Sequence, residues 1–361
     1  MWNRSAASQD QLRGSEPLSH SADVIIVGQG LAGTTLAWHL LERGLNILIL
    51  DAKLASASSV AAGLVTPVTG QALRCAPGFA RDLRRAAAFY KGIEALVKHR
   101  LWYEQEALRV AQTPKQHARL LDRVNSGAPG LGPSATPPAP TLGNTLGYAA
   151  MPDAARLDVP AYIECSAREF ATHDIVRPVR INPAEVVVAS NHVEAAGLRA
   201  RHLVWCGGFH DHDNPWLPDL ALSPAKGEII ELQAHDHDAR DFESRVVHCA
   251  GHWLVPGKEP GAMSIGATYD HQDLTPAPTA GGRNALVARA EELLSVPFSV
   301  TDHLAGIRPV SADRKPVVGR HPVHKRILVL NGLGSKGVLW APREAERVCG
   351  MLRGTAPEGG L

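Results

Sequence analysis

The chain has 361 residues, 45% hydrophobic and 20% charged, with a formal net charge of +1 at pH 7. That length supports a large core and two domains. The balanced charge gives no bias toward nucleic acid or an anionic membrane, and no apolar run reaches the roughly 18 residues of a membrane-spanning helix.

Residues 1–20 are polar and irregular, lack the apolar core of a signal peptide, and read as a disordered leader. The apolar run Val24–Val27 then enters Gly28-Gln29-Gly30-Leu31-Ala32-Gly33, a G-x-G-x-x-G turn. Gly28 permits the tight turn, Gly30 lets backbone approach a pyrophosphate, and Gly33 lets helix and strand pack closely. Leu36, Ala37, Leu40 and Leu41 follow at helical spacing, and the helix is expected to stop at Gly44. Its N-terminus offers free N–H groups to phosphates. A second apolar run, Ile47–Leu50, ends in Asp51, near the spacing of about 20 residues expected for an acid on the adenosine ribose. An acid there favours FAD or NAD over NADP.

Residues 55–70 are rich in Ser, Ala and Gly and suit close approach to a ligand. Residues 81–98 predict an amphipathic helix, with Leu83, Ala87, Tyr90, Ile93 and Val97 on one side. The Pro/Gly-rich stretch 126–144 reads as a surface loop. A helix is expected over about 159–172, then strands at 175–181, 185–189 and 192–198. Leu203–Cys206 predicts a strand ending in the pair Gly207-Gly208, and further strands are expected at 228–232, 252–255 and 263–268. After a helix over 284–295, the strand 326–330 runs into Asn331-Gly332-Leu333-Gly334-Ser335-Lys336-Gly337, and a final helix runs to about Leu352.

Two His-Asp-His-Asp runs, 210–213 and 235–238, invite a metal reading. Both follow strands and no third ligand cluster supports them, so both read as solvated loops and no metal is expected. Cys75, Cys165, Cys206, Cys249 and Cys349 are scattered, without a C-x-x-C pair. They imply a reducing compartment, the cytoplasm, and inert buried thiols.

The order of elements is informative. A nucleotide-binding pattern opens the chain, antiparallel-type strands fill its middle, and a strand–glycine loop–helix unit closes it. The expected fold is α/β (α+β), a discontinuous Rossmann-like FAD-binding domain with an inserted antiparallel β-rich substrate domain. The expected partition is 21–85, 152–222 and 303–356 for the cofactor domain, and 86–151 and 223–302 for the substrate domain. An NAD dehydrogenase would continue in regular β-α-β units. Here the glycine turns lie far apart, which suits an extended cofactor such as FAD.

The chain resembles the D-amino-acid oxidase and glycine oxidase group of FAD-dependent amine oxidoreductases over most of residues 22–350. The resemblance is carried by the opening loop with Asp51-Ala52, by Ser59–Leu64, by Phe89–Glu94, and by Pro178-Val179 with Leu203–Gly208. It continues through Ala225-Lys226-Gly227-Glu228, Ser264–Thr268, Ala305-Gly306-Ile307-Arg308-Pro309 with 313–322, and 332–342.

The resemblance implies that Gly28, Gly30, Leu31, Ala32, Gly33, Asp51 and Ala52 hold the ADP half of non-covalent FAD. Ser58, Ser59, Ala62, Gly63 and Leu64 would line the pyrophosphate and flavin, with Val179 at adenine and Gly207 among the cofactor contacts. Gly334, Ser335, Lys336 and Gly337 would meet the flavin's pyrimidine edge. Backbone N–H groups there suit the negative charge of a reduced flavin. Arg308 would bind the substrate carboxylate through its guanidinium fork. Trp253 stands in a segment where glycine oxidase places a tyrosine in the substrate pocket. Ser335 replaces an arginine of glycine oxidase, and Lys336 would supply part of that charge.

The implied reaction is oxidation of the C–N bond of a small amino acid or secondary amine by hydride transfer to flavin N5. Its partners would be the amine and oxygen or another electron acceptor, with no nucleic acid and no membrane span. Two alternatives remain at this point: a tRNA-modifying FAD enzyme that removes a carboxymethyl group from a modified uridine, and a non-catalytic FAD-binding module.

Overall fold

The computed structural model describes residues 21–217, 220–235 and 244–355. The leader 1–20 and residues 236–238 of the second His-Asp-His-Asp run lie outside the described residues. No described helix is long and apolar enough to cross a membrane.

The architecture is α/β, with one largely parallel and one largely antiparallel sheet. The strand Ser21–Val27 occupies the middle of the parallel sheet, where Ile25 pairs with Leu48 on one side and Leu203 on the other. Val176–Arg177 extends the sheet beyond Ile47–Leu50, and Ile327–Asn331 lies parallel to Leu198–Trp205. Antiparallel pairing adds Val317–Arg320 beyond Ile327–Asn331, and Val193–Ala195 beside the first half of Leu198–Trp205.

Both faces of this sheet are buried, which explains its near-continuous apolar strands. Val24 and Ile26 face a core shared with four helices: Leu31–Glu42, Phe79–Val97, Val159–Thr172 and Gly337–Leu352. Ile25, Leu48 and Leu203 face a second core with Val193 and Leu217. Polar links pin the first helix across its packed face: Thr35 Oγ1 to Tyr162 Oη at 3.2 Å, and Trp38 Nε1 to Ser166 Oγ at 2.9 Å.

Two glycines make this unit possible. Gly28 has φ +95°, and a Cβ there would lie 2.7 Å from the Cys206 carbonyl oxygen. A Cβ on Gly33 would lie 1.9 Å from the Gly28 carbonyl oxygen, so only glycine allows this approach of helix to strand.

The second sheet runs, in spatial order, 298–308, 225–234, 262–266, 252–256, 247–249, 107–111 and 147–151. Its longest pairing joins Ala225–Ala234 to Phe298–Arg308, with Ala225 opposite Arg308. Helix Ala280–Leu293 covers one face with a core containing Ile230, Leu232, Ile265 and Leu286.

Several elements escaped the sequence reading, among them strands Ala107–Ala111, Gly147–Met151 and Val317–Arg320 of the two large sheets. Helix Pro114–Asn125 begins with Thr113 capping the Gln116 N–H and proline in its first turn, a local signal that was available. Strand Phe298–Arg308 is half-buried over most of its length, with Ser299, Thr301 and Asp302 exposed, and gains its register from its partner strand. The stretch 126–144 is an irregular loop, mostly exposed or half-buried as expected, anchored at a few points. Leu131 and Leu142 are buried, and Gly132 bridges to Ala150, so this segment packs on the second sheet.

Candidate active site

The parallel strands end on one side, and the loops that follow them surround a cavity of about 430 Å³. This is the crevice beyond the carboxyl ends of the strands, where α/β sheets hold ligands.

One end has nucleotide-binding character. Helix Leu31–Glu42 starts at Gly30 with no side-chain cap. The Leu31 N–H donates to Ser58 Oγ at 3.0 Å, which draws the Ser/Ala loop over the glycine turn. Asp51 accepts from the Gln29 N–H at 3.1 Å, and Lys53 Nζ lies 3.4 Å from its other oxygen. Gln29 is buried, lines the cavity, and has no partner for its side-chain Nε2. An orphaned buried donor beside an uncapped helix start and a carboxylate fits a group with phosphate and ribose oxygens. The final helix also begins in the cavity wall without a side-chain cap. A Cβ on its first residue, Gly337, would approach Leu31 Cδ2 to 2.9 Å. Two helix N-termini therefore converge on this site, and both favour negative charge.

The other end is built around Arg308. Its guanidinium lies over Gly227, donates to the Thr268 carbonyl oxygen at 3.3 Å, and has its Cζ 5.5 Å from the centre of the Tyr269 ring. No acidic side chain among the described residues pairs with it, and burial lowers its pKa while Tyr269 acts to raise it. Trp253 lines the same cavity with its ring against Gly266.

The segment 268–279, which carries Thr268, Tyr269 and Pro276, is tied to the strand beneath. Buried Lys226 reaches Asp273 at 2.5 Å and Thr275 Oγ1 at 3.3 Å. Buried Glu228 accepts from the Thr279 N–H at 3.0 Å and its hydroxyl at 2.8 Å, and His303 Nε2 lies 2.7 Å from it.

Of the residues singled out from sequence, the cavity wall contains Gly28, Gly30, Leu31, Ala32, Asp51, Ala52, Ser58, Ala62, Gly63, Leu64, Val179, Gly207, Trp253, Arg308, Gly334, Ser335 and Gly337. Three others lie elsewhere. Gly33 is buried between helix and strand, the Ser59 hydroxyl donates to the Ser56 carbonyl at 2.7 Å, and Lys336 turns to the Trp340 ring, with Nζ 5.5 Å from its centre.

The first His-Asp-His-Asp run is exposed at His210, His212 and Asp213, as a solvated loop would be, but Asp211 is buried. Asp211 is 3% exposed and lines the cavity beside Asn331, which is 2% exposed. Burial raises the Asp211 carboxyl to about 6, against the hydrogen bonds from Gly207, Asn214 and Asn331. Two of its donors, Gly207 and Asn214, are near in sequence, and the third, Asn331, lies 120 residues away. Cys206 also borders the cavity, its thiol pushed well above the usual range by burial and by Asp211.

Such a fold, with this cavity at the strand ends, defines an FAD-binding oxidoreductase. The sequence pattern of the DAO family, "FAD dependent oxidoreductase", matches residues 23–350, and the chain belongs to that family. FAD is therefore its cofactor, and the non-catalytic alternative is set aside.

Among curated relatives, a glycine oxidase of Bacillus licheniformis is 25% identical over 357 residues, covering 92% of this chain and 93% of that protein. The tRNA 5-methylaminomethyl-2-thiouridine biosynthesis bifunctional protein MnmC of Marinobacter nauticus is 27% identical over 383 residues, covering 93% of this chain. The chain spans only 57% of that protein's length. In structure, it is similar to glycine oxidase from Bacillus cereus, with a TM-score of 0.78 at 19% identity, covering 93% of this chain and 98% of that one. Iminodiacetate oxidase from Chelativorans gives 0.75 at 20%, covering 93% and 96%. These two likenesses concern the fold.

Proposed function

We propose that this enzyme oxidises the C–N bond of a small amine that carries a carboxylate, such as an amino acid or an N-carboxymethyl amine. The observation that carries the reading is Arg308: a half-buried guanidinium facing the cavity with no acidic partner among the described residues. A partly desolvated cation without a counter-charge is costly, and a bound carboxylate would compensate it through two parallel N–H···O bonds. Bound FAD supplies the hydride acceptor. The residues of the chain orient and enclose the amine. Arg308 fixes the carboxylate, while Trp253 and Ile229 contribute apolar wall and exclude water. No general base is assigned, because an amine that enters neutral needs none. Ser335 and the backbone from Gly334 to Gly337 would face the flavin's electron-rich edge, with Lys336 held as a cation outside the cavity.

A second reading is favoured by the MnmC relative, whose name places it in tRNA 5-methylaminomethyl-2-thiouridine biosynthesis. A carboxymethylamino group on a modified uridine would present the same carboxylate and amine to Arg308. The near-neutral net charge of the chain argues against a grip on an RNA backbone.

An anaerobic screen separates the two. Glycine, sarcosine and iminodiacetate are each mixed with the holoenzyme, in parallel with tRNA bearing carboxymethylaminomethyl-uridine, and flavin absorbance is followed. Bleaching by a free amine supports the first reading, and bleaching by tRNA alone supports the second. No bleaching by any of them sinks both. Peroxide formed on re-aeration identifies oxygen as the acceptor.

A further inference from the structure

Asp211 and Asn331 stand 120 residues apart and end on one hydrogen-bond network. They follow neighbouring parallel strands, Leu198–Trp205 and Ile327–Asn331, whose pairing places Trp205 opposite Val329. The Asp211 carboxylate accepts from the Gly207 N–H at 2.8 Å, from Asn331 Nδ2 at 2.9 Å and from Asn214 Nδ2 at 3.4 Å. The same Asn331 amide group donates to the Gly208 carbonyl at 2.9 Å, and its Oδ1 accepts from the Gly332 N–H at 2.7 Å. The turn rests directly on the carboxylate: a Cβ on Gly207 would lie 2.4 Å from Asp211 Oδ1.

We propose that Asp211 and Asn331 are positioning residues for bound FAD, a buried latch that fixes the Gly207–Gly208 turn to the loop beginning at Asn331. Gly207, Gly208, Asn331 and Gly334 all belong to the cavity wall. Each of the two loops has a glycine with positive φ beside the latch, +61° at Gly208 and +68° at Gly332, so neither backbone is set by local side-chain sterics. The latch supplies that constraint from behind. An anion is specifically suited to the role, because the three groups aimed at Asp211 are all N–H donors. An asparagine at the same position would turn its own amide group toward at least one of them. The latch acts through the cofactor-facing backbone and touches no substrate. It is independent of the amine reading above.

The test uses holoenzymes of Asp211→Asn, Asp211→Ala, Asn331→Ala and the Asp211→Ala/Asn331→Ala pair. Release of FAD on dilution is followed by flavin fluorescence, the visible spectrum of the bound flavin is recorded, and circular dichroism confirms native secondary structure at the working temperature. Each single variant is expected to weaken FAD binding at least tenfold and to alter the bound-flavin spectrum. The double variant is expected to bind FAD no worse than the weaker single, as two residues acting through one network require. The idea is overturned if variants lose thermal stability while FAD affinity and spectrum stay at wild-type values, or if the two losses simply multiply. Should Asp211→Ala not fold, the isosteric Asp211→Asn and the Asn331→Ala variant decide alone: a normal affinity and spectrum in both overturns it.

Discussion

The guanidinium of Arg308 occupies the space where a side chain on Gly227 would stand: a Cβ there would lie 2.0 Å from one terminal nitrogen and 2.3 Å from Cζ. Gly227 and Arg308 belong to adjacent strands, and the missing side chain is what lets the arginine lie flat against the sheet. Gly227→Ala is therefore expected to push Arg308 out of place while FAD remains bound. Arg308→Ala removes the fork outright and should cost about 2–4 kcal/mol in transition-state binding of a carboxylate-bearing amine. Arg308→Lys should recover only part of that, since an ammonium cannot make the paired bonds. The measurement is kcat/KM for whichever amine bleaches the flavin. An unchanged value in Arg308→Ala removes this residue from the site.

The opening turn separates two effects of added bulk. A Cβ on Gly30 would meet only Ser58 Oγ, at 3.3 Å, whereas one on Gly33 would meet the Gly28 carbonyl at 1.9 Å. Gly30→Ala should fold with near-native stability and release FAD more readily, because the new methyl stands where backbone must approach the pyrophosphate. Gly33→Ala forces helix from strand and should lower stability by about 1–3 kcal/mol or more. Urea unfolding and FAD release on dilution, measured on both variants, check this. Equal stability losses would contradict the distinction.

The parts of this site that were legible in sequence are those written locally. The strand, glycine turn, helix and second strand follow one another within thirty residues, at residues 21–50, and each carries its own periodicity. Arg308 was legible because its segment resembles a known family. Asp211 was illegible because its buried carboxylate is tied to Asn331, a contact that exists only when strands far apart in sequence become neighbours. Lys226 was equally opaque, a charged residue 1% exposed whose partner Asp273 lies 47 positions away. Lys336 shows the converse limit, since the family resemblance placed it at the flavin edge and its side chain packs on Trp340.

Three histidines set an acid-sensitive stability. Burial, reinforced by neighbouring arginines, lowers His39 and His202 to about 4 and His248 to about 3. In the unfolded chain each protonates near 6.5. Between roughly pH 6.5 and 4 the unfolded state thus holds protons that the folded state refuses, and stability falls as pH falls through that window. Asp211 works the other way. Its folded value of about 6 lies above the unfolded 3.8, so protonation below 6 favours the fold. The urea midpoint is expected to drop between pH 7.5 and 5. His39→Gln should reduce that drop and Asp211→Asn should enlarge it. Identical drops in all three proteins would show that these groups do not govern the window.

Lys226 and Glu228 project away from the cavity, while Gly227 between them and Ile229 beyond line it. Behind the strand, Lys226 binds Asp273 and Glu228 binds Thr279, and both bonds hold the segment that brings Thr268 and Tyr269 to Arg308. Lys226→Met removes the ammonium from Asp273 and from buried Glu228, 3.8 Å away, and should cost about 3–5 kcal/mol of stability, as for one broken partner of a buried pair. Asp273→Asn affects a more exposed partner and should cost less. Both variants are expected to raise KM for the amine, because the segment no longer holds the Thr268 carbonyl on the arginine. FAD release should match the wild type, since the nucleotide end of the cavity is untouched. Loss of FAD with KM unchanged would place this ionic cluster with the cofactor and not with Arg308.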